Sequence, residues 1–209
     1  MIALVDYGSG NIRSVQKALQ AVGAEISLVR DPAELSPEMS AMVLPGVGAF
    51  DDCVSALQRQ ELWSAIKTHI NAGKAFLGIC VGYQALFERS EEFNSCAVGL
   101  EVFGGKVVRF PDEPGLKVPQ IGWNQLEIAR PECPLFKGVK EGSHVYFVHS
   151  FYPQPTDDEV VISRTHYGVR FASAVWRDNV FATQFHPEKS QAVGLQILKN
   201  FVDYAAERE

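Results

Sequence analysis

The sequence predicts an α/β fold with an open, mostly parallel central sheet flanked by helices and an added antiparallel strand region in the C-terminal half. In the first half, short apolar runs alternate with amphipathic runs, which is the pattern of repeated strand–helix units. The strand predicted at 74–79 is apolar from Ala75 onward, as expected of a central strand that is covered on both faces. The second half has shorter apolar runs separated by Gly, Pro and Asp, which is typical of antiparallel strands joined by turns.

Strands and helices alternate up to Cys80, and strands then dominate until the last helix. The first half should contain strands at 2–5, 25–29, 42–44 and 74–79, and helices at 11–22, 51–70 and directly after Cys80. The second half should contain strands at 100–110, 125–128, 144–151, 160–163, 172–176 and 180–184, with a hairpin turn at 177–179. A final helix should run over 190–207, with Ser190 as its N-terminal cap. Since no repeat or long linker interrupts the chain, residues 1–209 are predicted to form a single domain.

The composition limits the class of function. A net charge of -6 and a pI near 5.4 argue against a nucleic-acid binder, which would normally carry a basic stripe. No apolar stretch of about 18 residues predicts a transmembrane helix, and the N-terminus lacks the basic leader of a signal peptide. We therefore expect a cytoplasmic protein that binds no membrane. Its four scattered cysteines predict neither a disulfide framework nor a zinc site.

The most informative segment is Gly78-Ile79-Cys80-Val81-Gly82, which joins an apolar strand to a predicted helix. This is the strand–turn–helix pattern of a nucleophile elbow, with Cys in the position that Ser occupies in Gly-x-Ser-x-Gly. Glycines are needed there because the tight turn brings backbone segments into close approach. Cys80 is therefore a candidate nucleophile, and the amide of Val81 is a candidate donor to an oxyanion. The alternative is a buried structural cysteine at a glycine-rich strand end.

A candidate base lies near the C-terminus. His186 ends an apolar strand and is followed by Pro187 and Glu188. Glu188 is close enough in sequence to accept the imidazole N–H and to stabilise the imidazolium, as a carboxylate does in Ser-His-Asp sites. The same tripeptide is compatible with a solvated turn histidine, and only its combination with the Cys80 elbow favours catalysis. His186 and Glu188 supply only two potential ligands, so we predict no metal site.

A third segment, the glycine-rich 44–50, follows another predicted parallel strand. Ligands of open α/β sheets bind at the carboxyl ends of the strands. Gly46, Val47 and Gly48 are therefore candidates for contact with a substrate, and Val47 or Gly48 for a second oxyanion donor. An ordinary tight turn into a helix would explain the same residues.

These three motifs, in this order, resemble the class I (triad) glutamine amidotransferases. The family pattern is a Pro-Gly-rich oxyanion strand, then Gly-x-Cys-x-Gly-x-Gln, then His-Pro-Glu, and all three are present in this chain. The resemblance implies a Cys80–His186–Glu188 triad that hydrolyses the side-chain amide of glutamine without a cofactor. It further implies that glutamine is bound by Gln84, by His149, Ser150 and Phe151 through backbone groups, and by the oxyanion residues Gly46, Val47, Gly48 and Val81.

Longer segments narrow the resemblance to one branch of this family. These segments are 6–15, 44–50, 121–124, 146–151 and 184–190. They are similar to glutaminase subunits that pass ammonia to a separate cyclase subunit, a β/α barrel, in histidine biosynthesis. From their placement, Asn11, Tyr146 and Lys189 are predicted to lie near that partner. Two alternatives stay open: the glutaminase subunit of another amidotransferase, such as pyridoxal phosphate synthase, and a non-catalytic sensor protein on the same fold.

Overall fold

The computed structural model describes residues 1–208, so Glu209, the last residue of the predicted domain, lies outside the described part. The strands are β1 (Ile2–Val5), β2 (Ile26–Val29), β3 (Ala41–Gly46), β4 (Ala75–Cys80), β5 (Arg89–Ser90), β6 (Gly105–Arg109), β7 (Gln120–Gln125), β8 (Glu127–Ile128), β9 (His144–His149), β10 (Phe151–Pro155), β11 (Val161–Tyr167), β12 (Val169–Arg177) and β13 (Val180–Thr183). The α-helices are α1 (Ile12–Ala21), α2 (Phe50–Arg59), α3 (Leu62–Asn71), α4 (Val81–Gln84) and α5 (Gln191–Ala206).

The main sheet has eight strands in the order β2-β1-β3-β4-β13-β12-β11-β8. The neighbours from β2 to β13 pair in parallel, and those from β13 to β8 pair antiparallel. The predicted fold class is therefore confirmed, including the antiparallel region contributed by the second half. The predicted hairpin is also present, because β12 and β13 are joined at Asp178, which has a positive φ of 53°.

The centre of the sheet is covered on both faces. Strands β3 and β4 are buried at every residue, which requires packed layers on either side. Helix α1 packs with α5, and α2 packs with α3, and these pairs supply much of that cover. Along residues 1–208, no helix is both long enough and apolar enough to cross a bilayer.

The single helix predicted at 51–70 is wrong, because the structure has two helices there. They are separated at Glu61, which adopts a left-handed φ of 58°. Next to the break, the side-chain amide of Gln60 donates to the carbonyl of Tyr7 at 3.1 Å. The apolar pattern continues across this point, with Leu57 and Leu62 both buried. Periodicity alone therefore gives no sign of the change in helix direction.

The single strand predicted at 144–151 is also wrong. It divides at Ser150 into β9, which pairs with β7, and β10, which pairs with β6 in a separate three-stranded sheet. The strand predicted at 125–128 is likewise divided between β7 and β8. The strand predicted at 100–110 is shorter, since the amides of Leu100 and Val102 bond to carbonyls just after α4 instead of joining a ladder.

Candidate active site

The three predicted motifs converge on one edge of the main sheet. Strands β3, β4 and β13 are adjacent and parallel, so their carboxyl ends lie together. Gly46 at the end of β3 is paired with Cys80 at the end of β4, and Thr183 ends β13 beside Ile79. Open α/β sheets bind ligands at this edge.

Cys80 has the strained backbone expected of a nucleophile elbow. Its φ of 56° and ψ of -107° lie in a region that residues with a side chain rarely adopt. The flanking glycines are required by close approach: a Cβ on Gly82 would lie 1.9 Å from the carbonyl oxygen of Leu44, and one on Gly78 would lie 2.7 Å from that of Gly82. The helix that follows has only four residues. A helix this short has a weak dipole, so it adds little to the stability of a thiolate.

His186 and Glu188 form a buried pair. Nδ1 of His186 donates to Oε1 of Glu188 at 2.8 Å, and both side chains are at most 2% exposed. Burial alone would lower the pKa of His186, but the negative charges of the Cys80 thiolate and Glu188 raise it to about 10. Nε2 of His186 is buried and makes no well-formed hydrogen bond among the described residues. This pair therefore suits a base that holds a proton beside a thiolate.

The backbone of His186 is fixed by two neighbouring segments. Its N–H donates to the carbonyl of Tyr146 at 2.9 Å, and its carbonyl accepts from the Ser190 hydroxyl at 2.6 Å. Ser190 also accepts from the amide of Tyr146 at 3.0 Å. The prediction that the Ser190 side chain caps α5 is wrong, since the hydroxyl makes no cap hydrogen bond there. It links β9 to the histidine instead.

A cleft of about 380 Å³ opens at this edge, within the range of small-molecule sites. Most of the predicted site residues line it: Val47, Gly48, Cys80, Val81, Gln84, His149, Ser150, Phe151, His186 and Lys189. Gly46 lies beneath it beside Cys80, and Glu188 lies behind His186. Tyr146 lies beside the cleft, and the ammonium group of Lys189 is 5.7 Å from the centroid of its ring. Asn11 is exposed just before α1, away from the lining.

The segment predicted to bind an oxyanion, Gly46 to Gly48, is tied to the N-terminal loop. The Ser9 hydroxyl donates to the carbonyl of Val47 at 3.1 Å. Gly48 has a φ of 90°, which favours glycine at this position. Val81, next to Gly46, is the first residue of α4, where an amide has no partner within the helix. Val47, Gly48 and Val81 thus surround the cleft next to Cys80.

Three residues of the site have no role in the sequence-based prediction. Glu92 and Pro119 line the cleft, and Gln184 is wholly buried beside the sulfur of Cys80. Glu92 accepts from the amide of Phe50 at 2.8 Å, while burial raises its pKa. Gln184 carries a usable signal, because residues two apart on a strand point to the same side. It should therefore share a side with His186, whereas only the fold brings Glu92 to the cleft.

His149 is a buried, uncharged part of the cleft wall. Burial lowers its pKa to about 3, so the ring is neutral near pH 7. Nδ1 donates to the carbonyl of Phe151 at 2.8 Å, since a carbonyl only accepts. Nε2 is then an acceptor, which requires the side-chain amide of Gln120, 3.0 Å away, to present its NH₂ group.

We expect His149 to weaken the fold as the pH falls below 6.5, its ordinary pKa. Below that pH the unfolded chain binds a proton that the folded protein excludes until about pH 3, so stability is lost through this window. Between about pH 6 and about pH 4, the unfolding free energy of His149→Gln should fall by about 2–3 kcal/mol less than that of the wild-type protein. Urea unfolding of both proteins at these two pH values measures the difference. Identical pH dependence would contradict a buried neutral ring.

The family of the chain follows from comparison with known proteins. A family model described as glutamine amidotransferase class-I matches residues 3–204, a span that includes every residue of the candidate site. The chain therefore belongs to the class-I glutamine amidotransferases.

Individual relatives narrow this class. The imidazole glycerol phosphate synthase subunit HisH of Syntrophotalea carbinolica is 52% identical over 208 residues, which cover 97% of this chain and 100% of that protein. The protein of the same name from Geobacter metallireducens is 53% identical over 205 residues, 96% of each chain. Within the class-I glutamine amidotransferases, the chain belongs to the family of these HisH subunits.

Solved structures agree on the fold. PurLQS from Thermotoga maritima superposes with a TM-score of 0.77 at 21% identity, over 97% of each chain. A crystal structure of a glutamine amidotransferase superposes with a TM-score of 0.76 at 19% identity, over 98% of each chain. At these identities the likeness shows the fold alone.

Proposed function

We propose that this chain is the glutaminase subunit of imidazole glycerol phosphate synthase, which hydrolyses glutamine to glutamate and ammonia and supplies the ammonia to a cyclase subunit in histidine biosynthesis. The observation that carries the proposal is the buried arrangement of Cys80, His186 and Glu188 at the carboxyl ends of β4 and β13. Relatives at 52% and 53% identity over nearly the whole chain support the choice of synthase. We propose that residues 1–209 act as one domain.

The cleft has groups that suit both ends of glutamine. The amide carbonyl would lie at Cys80, where the amide of Val81 and the segment of Gly46, Val47 and Gly48 are available to an oxyanion. The zwitterionic end would lie toward the backbone of 149–151. The Glu92 carboxylate on the cleft wall suits the α-ammonium group.

The chemistry is a two-step acyl transfer. The thiolate of Cys80 attacks the carboxamide carbon, and backbone amides stabilise the resulting oxyanion. The imidazolium of His186, held by Glu188, gives its proton to the leaving nitrogen, which departs as ammonia and leaves a thioester. Water, activated by the same imidazole, then hydrolyses the thioester to glutamate and restores the thiol.

The proposed partner is a cyclase subunit with a β/α barrel, which would receive ammonia at the mouth of this cleft. Support comes from the surface beside the cleft, where Lys189 lies over Tyr146 and where Ile121 and Trp123 of the neighbouring β7 are 63% and 44% exposed. Exposed apolar side chains grouped near a site are typical of a protein–protein contact. Asn11 is proposed as a further contact. A nucleophilic thiol also fits the reducing conditions of the cytoplasm, where we propose that the reaction occurs.

We expect the isolated chain to release ammonia from glutamine slowly and to be strongly stimulated by the cyclase subunit with its own ligand bound. The reason is that the partner would cover the open cleft and complete the walls that hold glutamine in position. Glutamate and ammonia formation, measured with and without the co-purified partner, tests this. Full activity of the chain alone would contradict the coupling, and no ammonia in either case would favour a sensor protein on the same fold.

A further inference from the structure

Gln184 is a buried polar side chain that the mechanism above does not use. Gln184 lies directly after β13 and is 0% exposed, and its backbone N–H donates to the carbonyl of Ser173 at 2.8 Å. An amide side chain in the interior is costly unless its hydrogen bonds are satisfied. A position with only a packing role would therefore favour an apolar side chain.

The hydrogen bonds around Gln184 fix the direction of its amide. Nε2 of Gln84 donates to the carbonyl of Phe151 at 3.0 Å, and this carbonyl only accepts, so the Gln84 amide has one orientation. The other hydrogen of that nitrogen goes to Oε1 of Gln184 at 3.2 Å. The Nε2 of Gln184 consequently faces the sulfur of Cys80, at 3.7 Å.

The sulfur of Cys80 is buried, and the His186 imidazolium is the charged group that interacts with it. Cys80 is only 4% exposed, so water does little to solvate a thiolate there. Helix α4 has only four residues, so its dipole adds little, and one imidazolium does not supply all the donors that a buried thiolate can accept. A buried anion needs donors, and the amide of Gln184 is one that reaches it.

We propose that Gln184 is a catalytic residue of the glutaminase reaction, whose side-chain N–H stabilises the Cys80 thiolate and holds it in line for attack. This inference rests on the proposed function and assigns one further residue to the same site. Gln184 also connects the residue proposed to bind glutamine, Gln84, to the thiolate that attacks it. Because both hydrogens of Gln84 Nε2 are used inside the protein, Gln84 offers its Oε1 to a substrate donor, and the same amide holds Gln184 against the sulfur.

The test is the pH dependence of Cys80 alkylation by iodoacetamide in the full chain, followed by mass spectrometry of the Cys80 peptide. Gln184→Met keeps the length of the side chain and removes the donor. We expect the midpoint of alkylation to move up by about one to two pH units, and kcat for glutamine to fall about 10- to 100-fold with little change in KM. A purely structural role would leave the midpoint unchanged and raise KM through Gln84.

Two further variants serve as a replacement for Gln184→Met, should it fail to fold, and as a control. Gln184→Leu also removes the donor and adds no charge, so its midpoint should rise as well if the Met variant does not fold. Thr183→Val is the matched control, because it breaks a neighbouring buried hydrogen bond, from Oγ1 to the carbonyl of Phe185 at 3.0 Å, that does not touch the sulfur. Its midpoint should match that of the wild-type protein.

An unchanged or lowered midpoint in a folded Gln184 variant would overturn the proposal. So would an equal rise in the Thr183→Val control. The alkylation measurement needs no turnover, so its outcome is separate from the proposed function. A wild-type chain that never releases ammonia from glutamine would refute the function, and only the midpoint decides whether Gln184 supports the thiolate.

Discussion

Replacing Cys80 with alanine is expected to lower glutamine hydrolysis by roughly 10⁵-fold or more, because the variant lacks the atom that forms the thioester. His186 and the oxyanion segment would remain, and they would support only slow attack by water. In complex with the cyclase subunit, the same variant should keep synthesis from added ammonium, since that route bypasses the cleft. Ammonia release from glutamine and product formation from ammonium chloride, measured on one preparation, check both expectations.

The matched control for this experiment is Cys96→Ala. Cys96 is exposed, and its sulfur makes a weak contact with the carbonyl of Asn94 at 3.6 Å. Its replacement should leave both activities at the wild-type level. Retained glutamine hydrolysis in Cys80→Ala would refute the nucleophile, and a parallel loss of ammonium-dependent synthesis would point to a misfolded subunit or a damaged interface.

Replacing Gly82 with alanine is expected to cost about 3–5 kcal/mol of unfolding free energy, or to prevent folding. The added Cβ would lie 1.9 Å from the carbonyl oxygen of Leu44, which is backbone and has no flexible end to move away. Leu44 is held in β3, whose ladder with β4 runs through the centre of the sheet. The elbow and the strand would have to separate, and the position of Cys80 would change with them. Urea denaturation of the variant and the wild-type chain measures the loss.

Gly73→Ala provides the comparison for Gly82→Ala. Gly73 follows α3 with a φ of 76°, and a Cβ there would meet no atom within 4 Å. Its replacement should therefore carry only the cost of a left-handed residue, about 1–2 kcal/mol. Gly82 lies in α4 and has no left-handed φ, so a loss at Gly82 no larger than that at Gly73 would contradict the predicted clash with Leu44.

Much of the candidate site could be predicted because its chemistry is local in sequence. A nucleophile on a tight turn needs glycine on both sides, so Gly78 and Gly82 reveal Cys80 without any knowledge of distant segments. His186 and Glu188 are two residues apart, and their 2.8 Å hydrogen bond needs only the turn between them. The alternation of apolar and amphipathic runs predicts the parallel sheet, because each strand and each helix can be recognised from its own periodicity.

Other features could not be predicted because they depend on contacts between remote segments. The helix break at Glu61 and the strand break at Ser150 lie inside continuous patterns, and the partners of the flanking segments decide the direction of the chain. Glu92 reaches the cleft through a loop whose sequence carries no catalytic signal. The pKa of His149, lowered to about 3, reflects burial that only the packed fold creates.

By itself, the sequence determined the α/β class, the Cys80 elbow and the His186–Glu188 pair, since these arise from residues close together in the chain. Only the tertiary structure decided that Gln84 and Gln184, 100 positions apart, share a hydrogen bond and that the second amide faces the sulfur. The physical reason is that a hydrogen bond is set by distance and direction in space. The spacing of residues in the sequence gives neither the distance nor the direction. Both are set only when the sheet brings the ends of β4 and β13 together.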